Sequence, residues 1–238
     1  MDFINELNID LNQKSIITVT GSGGKTTLIS ELAELLVKMG KKVVITTTTR
    51  IYLPRSNHAI TVLGETMLTQ LRPQHQCMVF AGKGITTENK LEGFSSEEIV
   101  RIHKNPSIDF TIVEGDGSKM LPVKGYAFYE PVVPDMTDIL ISVIGLNAVG
   151  KAVSEKSVHR ISEFEKITGK GYGDIIDKGD IIKLILSPAG YFKCRGKKNY
   201  LILNQVNDCM YHDSCEIMQE LIGKALYIDK IVINGVNQ

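Results

Sequence analysis

The sequence predicts an α/β fold in three layers, with helices covering both faces of a mostly parallel sheet. Three observations carry that prediction. Short apolar runs rich in Ile and Val recur along the chain with little polar alternation, as in strands buried on both faces. Between them lie stretches with apolar residues three and four apart, the pattern of amphipathic helices. The first strand-like run also passes through a cluster of glycines directly into the first such helix. Right-handed crossovers then return each strand parallel to the last.

Taken in order, residues 1–14 mix apolar with acidic and amide side chains and lack the basic start and apolar run of a secretion signal. Ile16–Thr20 is a β-branched run and reads as the first strand. Lys25–Met39 reads as the first helix, with Leu28, Leu32, Leu35, Leu36 and Met39 on one face and Gly40 as its stop. Val43–Thr46 is the second strand. The alternation continues with a helix at Glu65–Leu71, a strand at Met78–Ala81, a helix at Ser96–His103 and a strand at Phe110–Glu114. The stretch from Gly115 to Pro134 holds six glycines and prolines and reads as an irregular excursion, a candidate small subdomain together with residues up to 156. Beyond it come a strand at Ile139–Ile144, helices at His159–Thr168 and Gly179–Leu186, a strand at Tyr200–Leu203, a helix at Asp208–Ile222 and a strand at Lys230–Ile233. The expectation is one domain over residues 1–238, without internal repeats.

Composition narrows the class. Lys plus Arg and Asp plus Glu each number 27, so the formal net charge is zero. That balance predicts no general attraction to nucleic acid or to a membrane surface. Cys77, Cys194, Cys209 and Cys215 form no C-x-x-C pair and no common zinc spacing, which fits reduced thiols in a cytoplasmic protein. No apolar stretch approaches the ~20 residues that span a bilayer.

The glycine cluster is Gly21-Ser22-Gly23-Gly24-Lys25-Thr26-Thr27. Glycines there let backbone N–H groups converge, and with the following helix N-terminus they make a phosphate site. Lys25 is placed to reach the β- and γ-phosphates and the Thr26 hydroxyl to ligate Mg²⁺, so the chain is expected to take the P-loop NTPase fold. In the strict G-x-x-x-x-G-K-[ST] pattern the first glycine falls at Val19, so the loop is the shorter G-x-x-G-K-T-T form, which resembles that of Mur-type ligases. The second lysine of dimeric P-loop ATPases is absent, since Thr20 stands in its place. A dinucleotide site fits less well: Thr26 replaces the third glycine of G-x-G-x-x-G and Arg50, not an acid, follows the second strand. The Lys25 side chain is expected to stand clear of the core.

Two further clusters belong at the same sheet edge. The strand Phe110–Glu114 ends in a carboxylate, followed by Gly115 and Asp116. Such a carboxylate holds the Mg²⁺ shell or orients an attacking water, so Glu114 is the first candidate and Asp116 the second. Asp116 serves equally as a turn cap. Thr48 and Thr49 extend the second strand to the edge where their hydroxyls meet metal, water or γ-phosphate.

With these motifs in place, the chain resembles the YqeC-like family, P-loop accessory proteins associated with selenium-dependent molybdenum hydroxylases. Further matching segments are Leu121-Pro122-Val123-Lys124, Glu130-Pro131-Val132-Val133-Pro134, Gly145-Leu146-Asn147-Ala148-Val149-Gly150 and Val158-His159-Arg160, in that order between Ile17 and Asp208. The resemblance implies a role in maturing such a hydroxylase, with the enzyme or its cofactor-assembly proteins as partners. It also raises Lys124, His159 and Arg160 to candidate γ-phosphate or substrate contacts, Arg160 as a cationic stabiliser of transition-state charge. Asn204-Gln205-Val206-Asn207-Asp208 resembles the Asn-Lys-x-Asp guanine reader of P-loop GTPases, with Gln205 and Asn207 at the lysine and carboxylate positions. Asn204 is therefore a candidate nucleotide contact, and ATP is expected ahead of GTP. The leading expectation is a Mg²⁺-dependent NTPase. A small-molecule kinase or ligase and a nucleotide-dependent binding module without turnover are the alternatives.

Overall fold

The computed structural model describes residues 3–52, 59–64, 66 and 78–235. A short helix α1 (Phe3–Glu6) precedes strand β1 (Ser15–Gly21), helix α2 (Lys25–Lys38) and strand β2 (Val43–Thr47). Strands β3 (Arg50–Tyr52), β4 (Ala59–Leu63), β5 (Met78–Gly82), β6 (Gly84–Ile85) and β7 (Lys90–Glu92) lead to helix α3 (Ser96–His103) and strand β8 (Phe110–Glu114). Next come β9 (Val123–Lys124), β10 (Ile139–Gly145), a 3₁₀ turn at Leu146–Ala148, β11 (Val158–His159), α4 (Ile161–Thr168) and α5 (Lys178–Leu186). The chain ends with β12 (Lys198–Val206), α6 (Asp208–Ile222) and β13 (Lys230–Gly235).

Eight strands form one sheet in the order β13-β12-β10-β1-β8-β2-β5-β4, and every adjacent pair is parallel. Parallel strands buried on both faces need apolar residues of both parities, and β1 supplies them. Ile17 and Val19 pack with Leu28, Leu32 and Leu36 of α2 on one face. Ile16 faces the other way and packs with Ile99 and Ile102 of α3. The same second face continues under β10 and β12 with Phe164 of α4, Ile181 and Leu184 of α5 and Ile217 of α6. This is the three-layer α/β fold expected. Because the strands are parallel, Gly21, Thr47, Glu114, Gly145 and Val206 all end at one edge of the sheet, where open α/β folds build their sites.

Three differences from the sequence expectation have physical causes. Strand β4 extends the sheet at its edge; its run is apolar and β-branched like β1, but Ile60 and Leu63 are exposed because no strand covers that edge among the described residues. The short β3, β6 and β7 form a separate antiparallel sheet with too few residues for any period to show. The expected helix Glu65–Leu71 lies outside the described residues except for Thr66, which is helical. The excursion after Glu114 is not wholly irregular, since Val123–Lys124 pairs in parallel with Val158–His159. That pairing takes His159 into a strand, so helix α4 starts at Ile161 with Arg160 before it in a left-handed backbone conformation (φ 62°).

Candidate functional site

The loop between β1 and α2 turns tightly against the end of β10. Gly21 (φ 96°) leaves no room for a side chain, because a Cβ there would lie 2.1 Å from the Val143 carbonyl oxygen. At Gly23 (φ 77°) a Cβ would lie 2.4 Å from the Gly145 nitrogen. These two glycines are dictated by backbone against backbone.

The loop's N–H groups divide into two sets. Gly21 N–H donates to the Asp116 carboxylate, Ser22 N–H to Val143 O (2.8 Å) and Gly23 N–H to Leu121 O (2.9 Å). These three are spent inside the protein, where the sequence alone had them among the phosphate ligands. The N–H groups of Gly24, Lys25, Thr26 and Thr27 have no hydrogen-bond partner among the described residues, and no side chain caps α2. Four open donors and the positive end of the helix dipole therefore face one point. Thr26 and Thr27 are exposed there, with their hydroxyls available to a ligand.

Lys25 does not stand clear of the core; it is only 3% exposed. Its ammonium is drawn back over its own loop, donating to Gly21 O (2.6 Å) and Ser118 Oγ (3.1 Å) and pairing with Asp116 (3.1 Å) and Glu114 (3.6 Å). The carboxylates at the tip of β8 supply the attraction that the sequence expectation left out.

The two acids differ sharply. Asp116 is fully buried, accepts the Gly21 N–H with both oxygens (2.9 and 3.1 Å), and pairs with Lys25 and with Lys124 (3.2 Å). Burial pushes its carboxyl up, but Lys25, Lys124 and the Gly21 N–H outweigh it and hold the group below the usual carboxylate range. Its oxygens are committed to shaping the loop. Glu114 is held by Lys25 alone, and there burial prevails, pushing its carboxyl above the ordinary value. Glu114 is thus the carboxylate with acceptor positions to spare. Among the described residues no group of three or more His, Cys, Asp or Glu could hold a metal ion. A cation that keeps most of its own ligands needs only one or two carboxylates, and Glu114 is the one here with positions free.

Lys124, Glu130 and Arg160 continue the charge network outward. Lys124 is completely buried and bridges Asp116 and Glu130 (2.9 Å), with its ammonium 4.5 Å from the Tyr126 ring centre. Arg160 binds Glu130 through Nε (3.2 Å) and Nη2 (2.9 Å) and lies over Tyr129. Burial and the neighbouring Lys124 and Arg160 push His159 down to about 4, so it is neutral at pH 7. The threonine tip meets the same point: Thr47 Oγ1 and the Thr48 N–H both donate to Glu114 O (2.8 and 3.1 Å), and Thr49 bonds back to Thr47. Asn204 is bonded on both sides, donating to Gly23 O (2.6 Å) and accepting from Asn234 (2.7 Å), so it anchors the loop.

Sequence reasoning missed Tyr191, whose hydroxyl bonds Ser22 Oγ (2.7 Å) and the Lys124 N–H (3.2 Å). It also missed Ser118 and Glu130 as partners of the two lysines. Glu130 carried a signal in the quoted Glu-Pro-Val-Val-Pro segment; an isolated tyrosine after a helix carries none. Lys119, Met120, Arg160 and Gln205 all adopt left-handed backbone around this edge. Strained conformations at non-glycine residues gather at binding sites, where the surrounding structure holds them.

Comparison with known proteins matches the chain to one family. A family model described as "YqeC protein" matches residues 17–162, which contain the loop, both acids, Lys124 and Arg160. A relative from Escherichia coli (strain K12), "Uncharacterized protein YqeC", is 32% identical over 209 residues, covering 85% of this chain and 82% of the relative.

Proposed function

The chain belongs to the YqeC family, and from its geometry we propose that it binds Mg²⁺–nucleoside triphosphate, ATP ahead of GTP, and hydrolyses it. The observation that carries this reading is the convergence of four open N–H groups and one lysine ammonium opposite a strand-tip carboxylate. Phosphate oxygens are the ligand that such a cluster of donors recognises.

The residues then divide the work. The N–H groups of Gly24 to Thr27 bind the phosphate chain, and Lys25 exchanges its carboxylates for phosphate oxygens. Asp116 keeps Lys124 and the Gly21 N–H through that exchange, so the loop holds its shape. Glu114 and the Thr26 hydroxyl would hold the cation, or Glu114 would orient a water for attack. Mg²⁺ supplies charge neutralisation at the phosphates when bound. The threonine tip fixes the backbone of Glu114. The further role, as a maturation factor for a selenium-dependent molybdenum hydroxylase, rests on the family resemblance and predicts turnover that rises when the apo-hydroxylase is added.

Calorimetric titration and steady-state hydrolysis test the reading together. Wild type binds and turns over ATP–Mg²⁺. Lys25→Met keeps the buried stem but loses affinity and turnover. Binding without turnover under any condition would leave a nucleotide-dependent binding module, and no binding of any triphosphate would end the proposal.

A further inference from the structure

Three cations at this edge are each tied to a carboxylate. Lys25 pairs with Glu114 and Asp116, Lys124 with Asp116 and Glu130, and Arg160 with Glu130. Three positive charges thus meet three negative ones, and the network is neutral. Lys119 stands one residue from Ser118, which Lys25 touches, and its side chain forms no hydrogen bond or ion pair among the described residues. We propose that Lys119 is a catalytic residue of the phosphate site, its ammonium binding the terminal phosphate of the triphosphate and offsetting the charge that builds there during hydrolysis. This rests on the triphosphate reading and deepens it by naming the cation that tells a triphosphate from a diphosphate.

The backbone holds Lys119 in place for this. The Leu121 N–H donates to Ser118 O (3.0 Å), closing a four-residue turn with Lys119 and Met120 at its centre. Both central residues have positive φ, 51° and 60°, the type I′ combination that glycine and asparagine favour. Lysine and methionine are strained there, and burial does not offset the strain, since both side chains are exposed, Met120 to 86%. Both ends of the turn rest on the phosphate loop. Ser118 Oγ accepts from Lys25 Nζ (3.1 Å), and Leu121 O accepts from the Gly23 N–H (2.9 Å). Gly117 O, just before the turn, accepts from Lys124 Nζ (2.7 Å). The tip is therefore fixed beside the Lys25 ammonium, and a flexible four-carbon stem carries the Lys119 charge from there to a phosphate held at the start of α2.

Arg160 is less suited to the task. Glu130 holds its guanidinium through two nitrogens, and it lies over Tyr129. Lys119 has no carboxylate to leave. In hydrolysis the water oxygen bonds to the terminal phosphorus as the bridging P–O bond breaks, the electron pair leaving with the diphosphate and the water proton passing to solvent. Negative charge spreads over the transferring oxygens, and a cation already placed beside them lowers the barrier. Lys119 supplies charge only.

The test uses the turn to separate function from fold. Glycine accepts a positive φ, so Lys119→Gly and Met120→Gly should each fold and melt close to or above the wild-type temperature. Titration with ADP and with the non-hydrolysable β,γ-imido analogue of ATP, each with Mg²⁺, isolates the terminal phosphate. Lys119→Gly is expected to leave ADP affinity unchanged, to weaken the analogue about tenfold and to lower kcat for ATP about a hundredfold. Lys119→Arg, which keeps the charge, is expected to recover much of both losses, and Met120→Gly to match the wild type. A Lys119→Gly protein with wild-type kcat and the wild-type preference for triphosphate over diphosphate would overturn the proposal and leave the phosphate site standing. Equal losses for ADP and the analogue would overturn it too, by showing a role in shaping the loop. If the wild type binds the analogue but hydrolyses nothing, a loss confined to the analogue upholds the terminal-phosphate contact, and its absence overturns it. If the wild type binds neither nucleotide, this proposal and the triphosphate reading fall together.

Discussion

Replacing Asp116 by asparagine removes one negative charge from the point where two buried lysines meet. In the wild type that carboxylate answers three donors: Lys25 at 3.1 Å, Lys124 at 3.2 Å and the Gly21 N–H. An asparagine offers one acceptor oxygen and turns an NH₂ towards the rest, so no rotamer satisfies all three. Breaking a buried pair by removing one partner costs about 3–5 kcal/mol, because the other charge stays buried. Here Lys25 keeps Gly21 O and Glu114, and Lys124 keeps Glu130 and Gly117 O. Those remaining partners put the loss at the lower end, about 3 kcal/mol. For a domain of this size each kcal/mol lowers Tm by about 2–4 °C, giving a drop of about 6–12 °C. The pH dependence has a definite sign. The folded-state carboxyl sits below its ordinary 3.8, so its contribution is fully present at pH 7 and is lost only as pH falls below that value. The gap between the two proteins is therefore widest at neutral pH and narrows in acid. Melting followed by circular dichroism measures it. An Asp116→Asn protein melting within about 2 °C of wild type at pH 7 would refute the reasoning.

Glu114→Gln is expected to do the opposite to stability while removing function. Because burial raises its folded-state carboxyl above 4.5, the ionised form costs stability that grows as pH rises through the raised value. At pH 7 the variant should melt at or above the wild-type temperature, yet lose Mg²⁺-dependent turnover by about a hundredfold or more; lower Tm with intact hydrolysis would reverse the assignment. His103 and His159 are both pushed down to about 4, chiefly by burial, so stability is lost as pH falls from 6.5 towards 4. Melts across that range should show the fall, and His103→Gln should flatten it. Gly23→Ala should weaken triphosphate binding about tenfold or more, since its Cβ would strike the Gly145 backbone, whereas Gly40→Ala (φ 78°, open space) should bear backbone strain of about 1 kcal/mol and bind normally. Titration of both variants distinguishes the cases.

Much of this arrangement was legible in the sequence because it is local. Phe110–Glu114, Ser96–His103 and Asp208–Ile222 announce themselves by period and by flanking residues, and the structure places them with those bounds. The loop and Glu114 were visible as a strand-turn-helix and a strand-tip acid, and the parallel sheet brings them together. What was hidden depends on long-range pairing. Nothing near Lys25 in sequence says that Asp116 and Glu114 will draw it inward, or that Tyr191 will bond Ser22 across 169 positions. Asp116 read as the second candidate, after Glu114, for the Mg²⁺ shell or the attacking water, or as a turn cap; its burial between two lysines, with its oxygens on the loop, was not legible. Edge strand β4 was missed although its Ala-Ile-Thr-Val-Leu run is apolar and β-branched; its place in the sheet comes from pairing with β5.

The central claim is that the open start of α2, with Lys25, is a triphosphate site, and ligand-induced thermal stabilisation tests it most directly. A ligand at a hundred times its Kd adds about 2.7 kcal/mol, which for a chain of this size moves the midpoint up by about 5–11 °C. Scans with saturating ATP–Mg²⁺ should show that rise in the wild type and none in Lys25→Met, each measured against its own nucleotide-free midpoint. An unchanged wild-type midpoint with ATP, GTP and CTP, or an equal rise in Lys25→Met, would contradict the account.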